Sequence, residues 1–128
     1  MKKLKVLLRV IGVVQLVLGL FYLFAPMTFL SMQGHSMPEA DIAYPLGMLA
    51  ARFLAYGVGM FMIAGAPEKN LFWINNMILI QAIDLAAGIF YTATGVVTLA
   101  HSGFAMFNAT LFIVLLSLWR PKNTAEQA

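Results

Sequence analysis

The chain alternates between four long apolar stretches and short polar segments. The apolar stretches cover residues 6–27, 45–64, 71–98 and 103–119. An α-helix needs about 20 residues, with roughly 17 to 25 usual, to cross the hydrocarbon core of a bilayer. Each stretch is therefore long enough to span a membrane, and the third can also tilt or emerge from it. The pattern predicts one membrane-embedded domain over residues 1–128 with four transmembrane helices.

The polar segments predict how these helices connect. Residues 31–44 form the one substantial loop, and Gly34 and Pro38 break regular structure within it. The segment before it, residues 26–32, is still apolar and is expected to lie along the outer interface. Residues 65–70 and the region around His101 form tight turns, which make successive helices antiparallel neighbours. The sequence thus predicts an all-α, four-helix antiparallel bundle.

The positive charges predict the orientation of the bundle. They precede the first span or lie in its first turn, follow the last span, or occur in the second loop: Lys2, Lys3, Lys5, Arg9, Lys69, Arg120 and Lys122. Loops 31–44 and 100–102 contain no Lys or Arg. Because cytoplasmic loops carry an excess of Lys and Arg, both termini and loop 65–70 are expected in the cytoplasm. The location that fits this topology is a bacterial inner membrane.

Composition excludes several classes of protein. The chain is 62% hydrophobic and 10% charged, whereas soluble domains contain about 25% charged residues. With no cysteine, it has no disulfide and no thiolate metal site. The net charge of +3 is explained by the topology and predicts no nucleic-acid partner. The basic start resembles a secretion signal, but its apolar run exceeds the usual 7 to 15 residues or so, which predicts a retained first helix.

Helical spacing places polar and small residues on one stripe of each span. On the third span the stripe contains Met77, Gln81, Asp84, Gly88, Tyr91, Thr92 and Gly95. On the second span it is a ridge of small residues, Gly47, Ala51, Ala55 and Gly59, which lets another helix approach closely. The corresponding residues are Gly12, Gln15, Gly19 and Tyr22 on the first span, and Ala105, Asn108 and Phe112 on the fourth. We expect these stripes to converge on a common interior.

Arg52 and Asp84 are the charged residues that lie deep inside the predicted spans, well away from their ends. A charge at that depth costs roughly 3 kcal/mol on insertion scales, so each is expected to face inward and to have a partner. One interpretation is an Arg52–Asp84 ion pair, either fixing helix register or anchoring a ligand. In the alternative, Arg52 extends to the outer headgroups and a protonated Asp84 is hydrogen-bonded to Gln81 or Tyr91.

The candidate sites follow from these residues. An intramembrane cleft for a quinone or lipid would use a few orienting polar groups, here Arg52, Asp84, Gln81, Tyr56, Tyr91 and Asn108. Met32, His35 and Met37 carry the thioether and imidazole ligands that suit Cu(I). Their spacing is short and unrepeated, so solvated loop residues are favoured and no metal site is expected. No catalytic residue is assigned, since the chain has no nucleophile–base set, phosphate loop or HExxH motif. His101 is expected at a helix start.

Several short motifs resemble those of the DoxX-like group of small four-helix membrane proteins. They are a basic start, Gly12-x-x-Gln15-x-x-x-Gly19, Leu23-Phe-Ala-Pro, Ala51-Arg-Phe-Leu-Ala-Tyr-Gly-Val-Gly, the Asp84-bearing third helix and a final helix ending Trp119-Arg-Pro. Members of that group, some named from subunits of a thiosulfate:quinone oxidoreductase, share this topology and vary in role. The resemblance implies an inner-membrane protein associated with redox or envelope complexes. It implies no catalytic residue.

Packing signals without a catalytic constellation predict a non-enzymatic accessory or assembly subunit of a larger membrane complex. Its expected partners are membrane lipids and either other integral membrane subunits or further copies of itself. An alternative function is the binding of a lipophilic small molecule, a quinone or a lipid. A third is a membrane-embedded lipid-modifying enzyme, which would need His101 or Glu39 to approach Asp84.

Overall fold

The computed structural model describes residues 2–121, and no β-strand occurs among them. Its helices are α1 (Lys2–Phe24), α2 (Pro26–Met32), α3 (Ala43–Ile63), α4 (Leu71–Ala93) and α5 (Leu99–Trp119). Short 3-10 turns, Ala40–Ile42 and Pro67–Lys69, precede α3 and α4. By length and composition α1, α3, α4 and α5 can each cross a membrane. The prediction of an all-α chain with four candidate spans is confirmed.

The end of α4 differs from the sequence prediction. This helix stops at Ala93, five residues before the predicted boundary, because the chain turns at Gly95, whose φ is +82°. The amide of Val96 bonds to the carbonyl oxygen of Tyr91 at 2.9 Å, and that of Gly95 bonds to Thr92 at 3.2 Å. This pair of bonds is a Schellman motif, in which glycine tolerates the left-handed backbone. The same motif ends α2 at Gly34, whose φ is +84°.

The start of α5 also lies earlier than predicted, at Leu99 instead of residue 103. Thr98 is the N-cap, and its backbone amide faces Nδ1 of His101 at 3.4 Å in a capping box. Such a box satisfies amides that the first turn of a helix leaves unpaired. The predicted turn around His101 is therefore wrong, since the turn covers residues 94–98. The prediction that His101 stands at a helix start is confirmed.

The break between α1 and α2 occurs at Pro26, which has no amide hydrogen to continue the ladder of α1. Pro26 instead occupies the first turn of α2, where a missing amide hydrogen has no cost. The first span therefore ends at Phe24 and not at residue 27. The apolar segment 26–32 forms a helix of its own.

The helices form two compact units, and α1 contributes to both. Unit 1 combines Met1–Leu7 with Ile63–Ala128, and unit 2 is Leu8–Met62. In unit 2, glycines bring α1 and α3 into close contact. A Cβ atom added at Gly57 would lie 2.7 Å from Cγ of Leu16 and 3.1 Å from the carbonyl oxygen of Gly12. A Cβ atom at Gly19 would lie 2.7 Å from Leu54, so the two helices run in opposite directions.

In unit 1, α4 and α5 pack along stripes with helical spacing. The buried residues are Leu71, Ile74, Met77 and Gln81 on α4, and Ala109, Phe112 and Leu116 on α5. A Cβ atom at Gly88 would lie 2.7 Å from Cγ of Met106. Near the connecting turn, the hydroxyl oxygens of Thr92 and Ser102 are 2.6 Å apart and share a hydrogen bond. These contacts pair the end of α4 with the start of α5, which therefore run in opposite directions.

The glycine contact in unit 2 predicts opposite effects for two neighbouring substitutions. Gly57→Ala is expected to lower the free energy of unfolding by about 1 to 3 kcal/mol, because the added methyl meets Leu16 and a backbone oxygen. Gly59→Ala is the matched control, since nothing lies within 4 Å of its Cβ position. It should be neutral or stabilise the helix by up to about 1 kcal/mol. Chemical unfolding of the purified chain in detergent, followed by circular dichroism, measures both, and equal stabilities would contradict the packing described.

Candidate functional site

The ridge of small residues on α3 faces away from the contact that α3 makes with α1. We call Gly47, Ala51, Ala55 and Gly59 the α3 ridge. Ala51 and Ala55 are exposed, and nothing lies within 4 Å of a Cβ atom built at Gly47 or Gly59. The side chains that flank the ridge, Met48, Val58 and Met62, are 61%, 51% and 74% exposed. Within unit 2, the expectation that this ridge and the α1 stripe of Gly12 and Gly19 share an interior is therefore wrong.

Gly57 explains why the ridge points outward. This glycine is buried, together with Ala50, Phe53 and Met60, at intervals of three or four residues that define the inward face of α3. The α3 ridge lies on a different side of the same helix. The sequence offered two faces of small residues on α3, and α1 packs against the one that contains Gly57.

Four rings in unit 2 form an aromatic cluster: Phe21, Tyr22, Phe29 and Phe53. Phe29 of α2 stacks on Phe21 with centroids 4.8 Å apart and meets Tyr22 edge-on at 5.0 Å. Tyr22 in turn stacks on Phe53 of α3 at 5.8 Å. These contacts hold α2 against the end of α1, although no residue of α2 is fully buried. Sequence reasoning missed the cluster, and the signal available was an aromatic residue on each side of Pro26.

Arg52 continues this cluster. Its guanidinium carbon lies 4.8 Å from the ring centroid of Phe53, within the range of a cation–π interaction. The side chain is half-buried, as is that of Tyr56 one turn later on α3. The structure thus gives Arg52 an aromatic contact that the sequence analysis did not include.

The polar residues of α4 do not share one environment. Gln81 is 4% exposed, and its Nε2 lies 3.4 Å from Sδ of Met77. Asp84, in contrast, is exposed, and the expectation that it faces inward and has a partner stays a prediction. Beyond Gln81 the same side of α4 continues with the half-buried Leu85 and Gly88, which leaves Asp84 at its edge.

The six candidate ligand-binding residues divide between the two units. Arg52 and Tyr56 belong to unit 2, whereas Gln81, Asp84, Tyr91 and Asn108 belong to unit 1. Within unit 1, Tyr91 is 48% exposed and Asn108 is half-buried. The Arg52–Asp84 ion pair and the cleft for a lipophilic ligand stay predictions.

The residues considered for a metal ion are on the surface of the chain. Met32 and Met37 are 68% and 56% exposed, and His35 is half-exposed between them. Among residues 2–121 there is no group of three or more His, Cys, Asp or Glu side chains that could hold a metal ion. The expectation of no metal site at Met32, His35 and Met37 stays a prediction, since two of these three residues are methionines.

The aromatic cluster predicts that Phe29 anchors α2. Each aromatic contact contributes about 0.5 to 1.5 kcal/mol beyond burial, so Phe29→Ala should raise hydrogen-exchange rates of α2 amides roughly tenfold. Thr28→Ala, at an exposed neighbour on the same helix, is the control and should leave those rates unchanged. Exchange mass spectrometry of the purified chain compares the two, and indistinguishable rates would exclude the anchoring role.

Comparison with known proteins leaves the family open. No family model, no curated protein and no solved structure matches the chain. The resemblance to the DoxX-like group therefore stays a prediction.

Proposed function

We propose that the chain is a non-enzymatic accessory or assembly subunit of a larger membrane complex. The observation that carries this proposal is the exposed α3 ridge. Its four small residues extend over three turns of a candidate span, and the chain's own side chains leave the space above Gly47 and Gly59 open. A helix of another polypeptide fits such a surface.

Membrane physics gives the exposed ridge its significance. Inside a bilayer, apolar side chains gain little from leaving lipid, so helices associate through close van der Waals packing at small residues. The chain already uses this device internally, at the contact of Gly12 with Gly57. The α3 ridge repeats the same type of surface on another side of α3, where a helix of another chain can supply the occupant.

The extent of exposed apolar surface agrees with this proposal. Only 17% of the most apolar 18-residue stretch of α4 is buried inside the chain, and the share for α5 is the same. Large side chains such as Phe104, Phe107 and Leu118 are 84%, 66% and 72% exposed. Lipid or partner helices cover these faces in a membrane.

The proposed arrangement is an antiparallel bundle with both termini in the cytoplasm. One contact in unit 1 supports termini on one side of the membrane. The ammonium of Lys3 lies 5.9 Å from the ring centroid of Trp119, so the first turn of α1 lies beside the last turn of α5. The positive charges at this end are the basis for assigning it to the cytoplasm.

The kind of complex follows from the sequence resemblance alone. If the chain is DoxX-like, the proposed complex is a redox or envelope assembly of a bacterial inner membrane. Nothing in the helices described above depends on that assignment. The subunit proposal depends on the α3 ridge and can be tested without knowing the partner.

Filling the ridge should dissociate the complex. Ala55→Leu adds three carbon atoms to the middle of the α3 ridge and keeps a residue of similarly high helix propensity. After extraction in mild detergent, we expect the wild-type chain to be part of a larger particle. The Ala55→Leu chain should be found mostly as a single polypeptide. Native mass spectrometry of the extracted particles measures the difference.

Ala86→Leu is the matched control for this experiment. Ala86 is an exposed alanine of α4 on the side away from Gln81 and the other buried residues. The same increase in volume there should leave the particle intact. A wild-type chain that always runs alone, or an Ala55→Leu chain that keeps its partners, would refute the subunit proposal.

A further inference from the structure

The first turn of α1 concentrates positive charge at one end of unit 1. Lys2, Lys3 and Lys5 are among its first four residues, and it contains no acidic residue. The start of a helix carries a partial positive charge of its own, so these lysines repel both each other and the helix dipole. Apart from Glu68 and Asp84, unit 1 has no acidic residue in its described part. An anion at this end would relieve that repulsion.

The guanidinium of Arg120, which follows α5, lies at the same end of unit 1 as these lysines. Lys3 lies over the ring of Trp119, with its Nζ 5.9 Å from the ring centroid. The next residue, Arg120, donates a hydrogen bond from one terminal guanidinium nitrogen to Oδ1 of Asn75 at 2.5 Å. This bond fixes the guanidinium against the first turns of α4. Since a guanidinium carries five N–H donors, most of them stay available to another acceptor.

Exposed aromatic side chains on the early turns of α4 mark the same end as interfacial. Phe72 and Trp73 are 73% and 49% exposed, and their rings pack edge-on at 5.2 Å. Tryptophan side chains such as that of Trp73 lie at the level of lipid headgroups. The cations of Lys3 and Arg120 therefore lie where a membrane presents phosphate groups.

We propose that Lys3, Trp119 and Arg120 form a binding site for the phosphate of an anionic phospholipid. Arg120 donates hydrogen bonds to the phosphate oxygens, because its planar fork matches phosphate geometry. Lys3, oriented by the ring of Trp119, supplies a second charge. Basic clusters next to transmembrane helices attract anionic lipids in general, and the Asn75–Arg120 bond makes this cluster a site with defined geometry.

The test measures how much phosphatidylglycerol stays bound to the chain. The protein is reconstituted in phosphatidylcholine with or without phosphatidylglycerol, extracted gently and examined by native mass spectrometry. We expect retained phosphatidylglycerol to fall about twenty-five-fold in the double variant Lys3→Gln/Arg120→Gln, at about fivefold for each cation removed. The charge-conserving double variant Lys3→Arg/Arg120→Lys should retain far more lipid than the glutamine variant, which separates charge loss from misfolding.

Two single substitutions distinguish a defined site from diffuse attraction. Asn75→Ala keeps every charge and releases Arg120, so a measurable loss is expected, at most the roughly fivefold loss for removal of a whole cation. Lys69→Gln removes a charge near the start of α4 but outside the site, and retention should be unchanged. Equal losses for Lys69→Gln and Asn75→Ala, or no loss for Asn75→Ala, would overturn the proposal.

A further measurement distinguishes an anionic lipid from free phosphate and from a neutral lipid as the ligand. Phosphatidylglycerol, added to the chain in neutral detergent, should raise its unfolding temperature, and this shift should disappear in Lys3→Gln/Arg120→Gln. Inorganic phosphate and phosphatidylcholine should produce no shift. An equal shift with inorganic phosphate or with phosphatidylcholine would refute a site for anionic lipid.

Discussion

The close approach of helix backbones at glycine is the interaction on which this structure depends. Where α1 and α3 meet, the carbonyl oxygen of Gly12 lies 3.1 Å from the Cβ position of Gly57, so neither position has room for a side chain without movement. This geometry matters more in lipid than in water, because in lipid the hydrophobic effect does not drive helices together. Shape at a few glycines therefore decides which faces pack and which remain outside.

Polar groups complement this packing mainly at the ends of helices. The Schellman turns at Gly34 and Gly95 and the capping box of Thr98 satisfy backbone groups where α2, α4 and α5 begin or end. The Thr92–Ser102 bond ties α4 to α5 beside such a turn, and the Arg120–Asn75 bond ties their other ends. Unsatisfied backbone groups are expensive within a bilayer, so these bonds limit where each span can end.

The sequence alone was sufficient for the four candidate spans, but not for α2, for the ends of the helices or for their inward faces. Length and apolarity identify a span directly, because the bilayer sets both. The boundary of α4 depended on the left-handed backbone of Gly95, and glycines in this chain occur too often for composition to mark that one. The sequence did not identify which side of α3 faces inward, because α3 carries small residues on two sides. In lipid both sides are apolar, so polarity does not distinguish the packed side from the lipid-facing one. The aromatic cluster depended on a reversal at Pro26 that brings Phe29 back to Phe21.

The same physics makes exposed small residues more informative here than exposed large ones. Exposed apolar side chains such as Phe104 and Leu118 are stable in contact with lipid, so their exposure alone does not indicate a protein partner. An exposed run of glycine and alanine on a span contributes little to contact with lipid, and glycine lowers helix propensity by about 1 kcal/mol relative to alanine. Such a run has a physical advantage only if another helix approaches it closely. The α3 ridge, with Gly47 and Gly59 open to the outside, therefore supports protein contact more strongly than the larger apolar faces of α4 and α5 do.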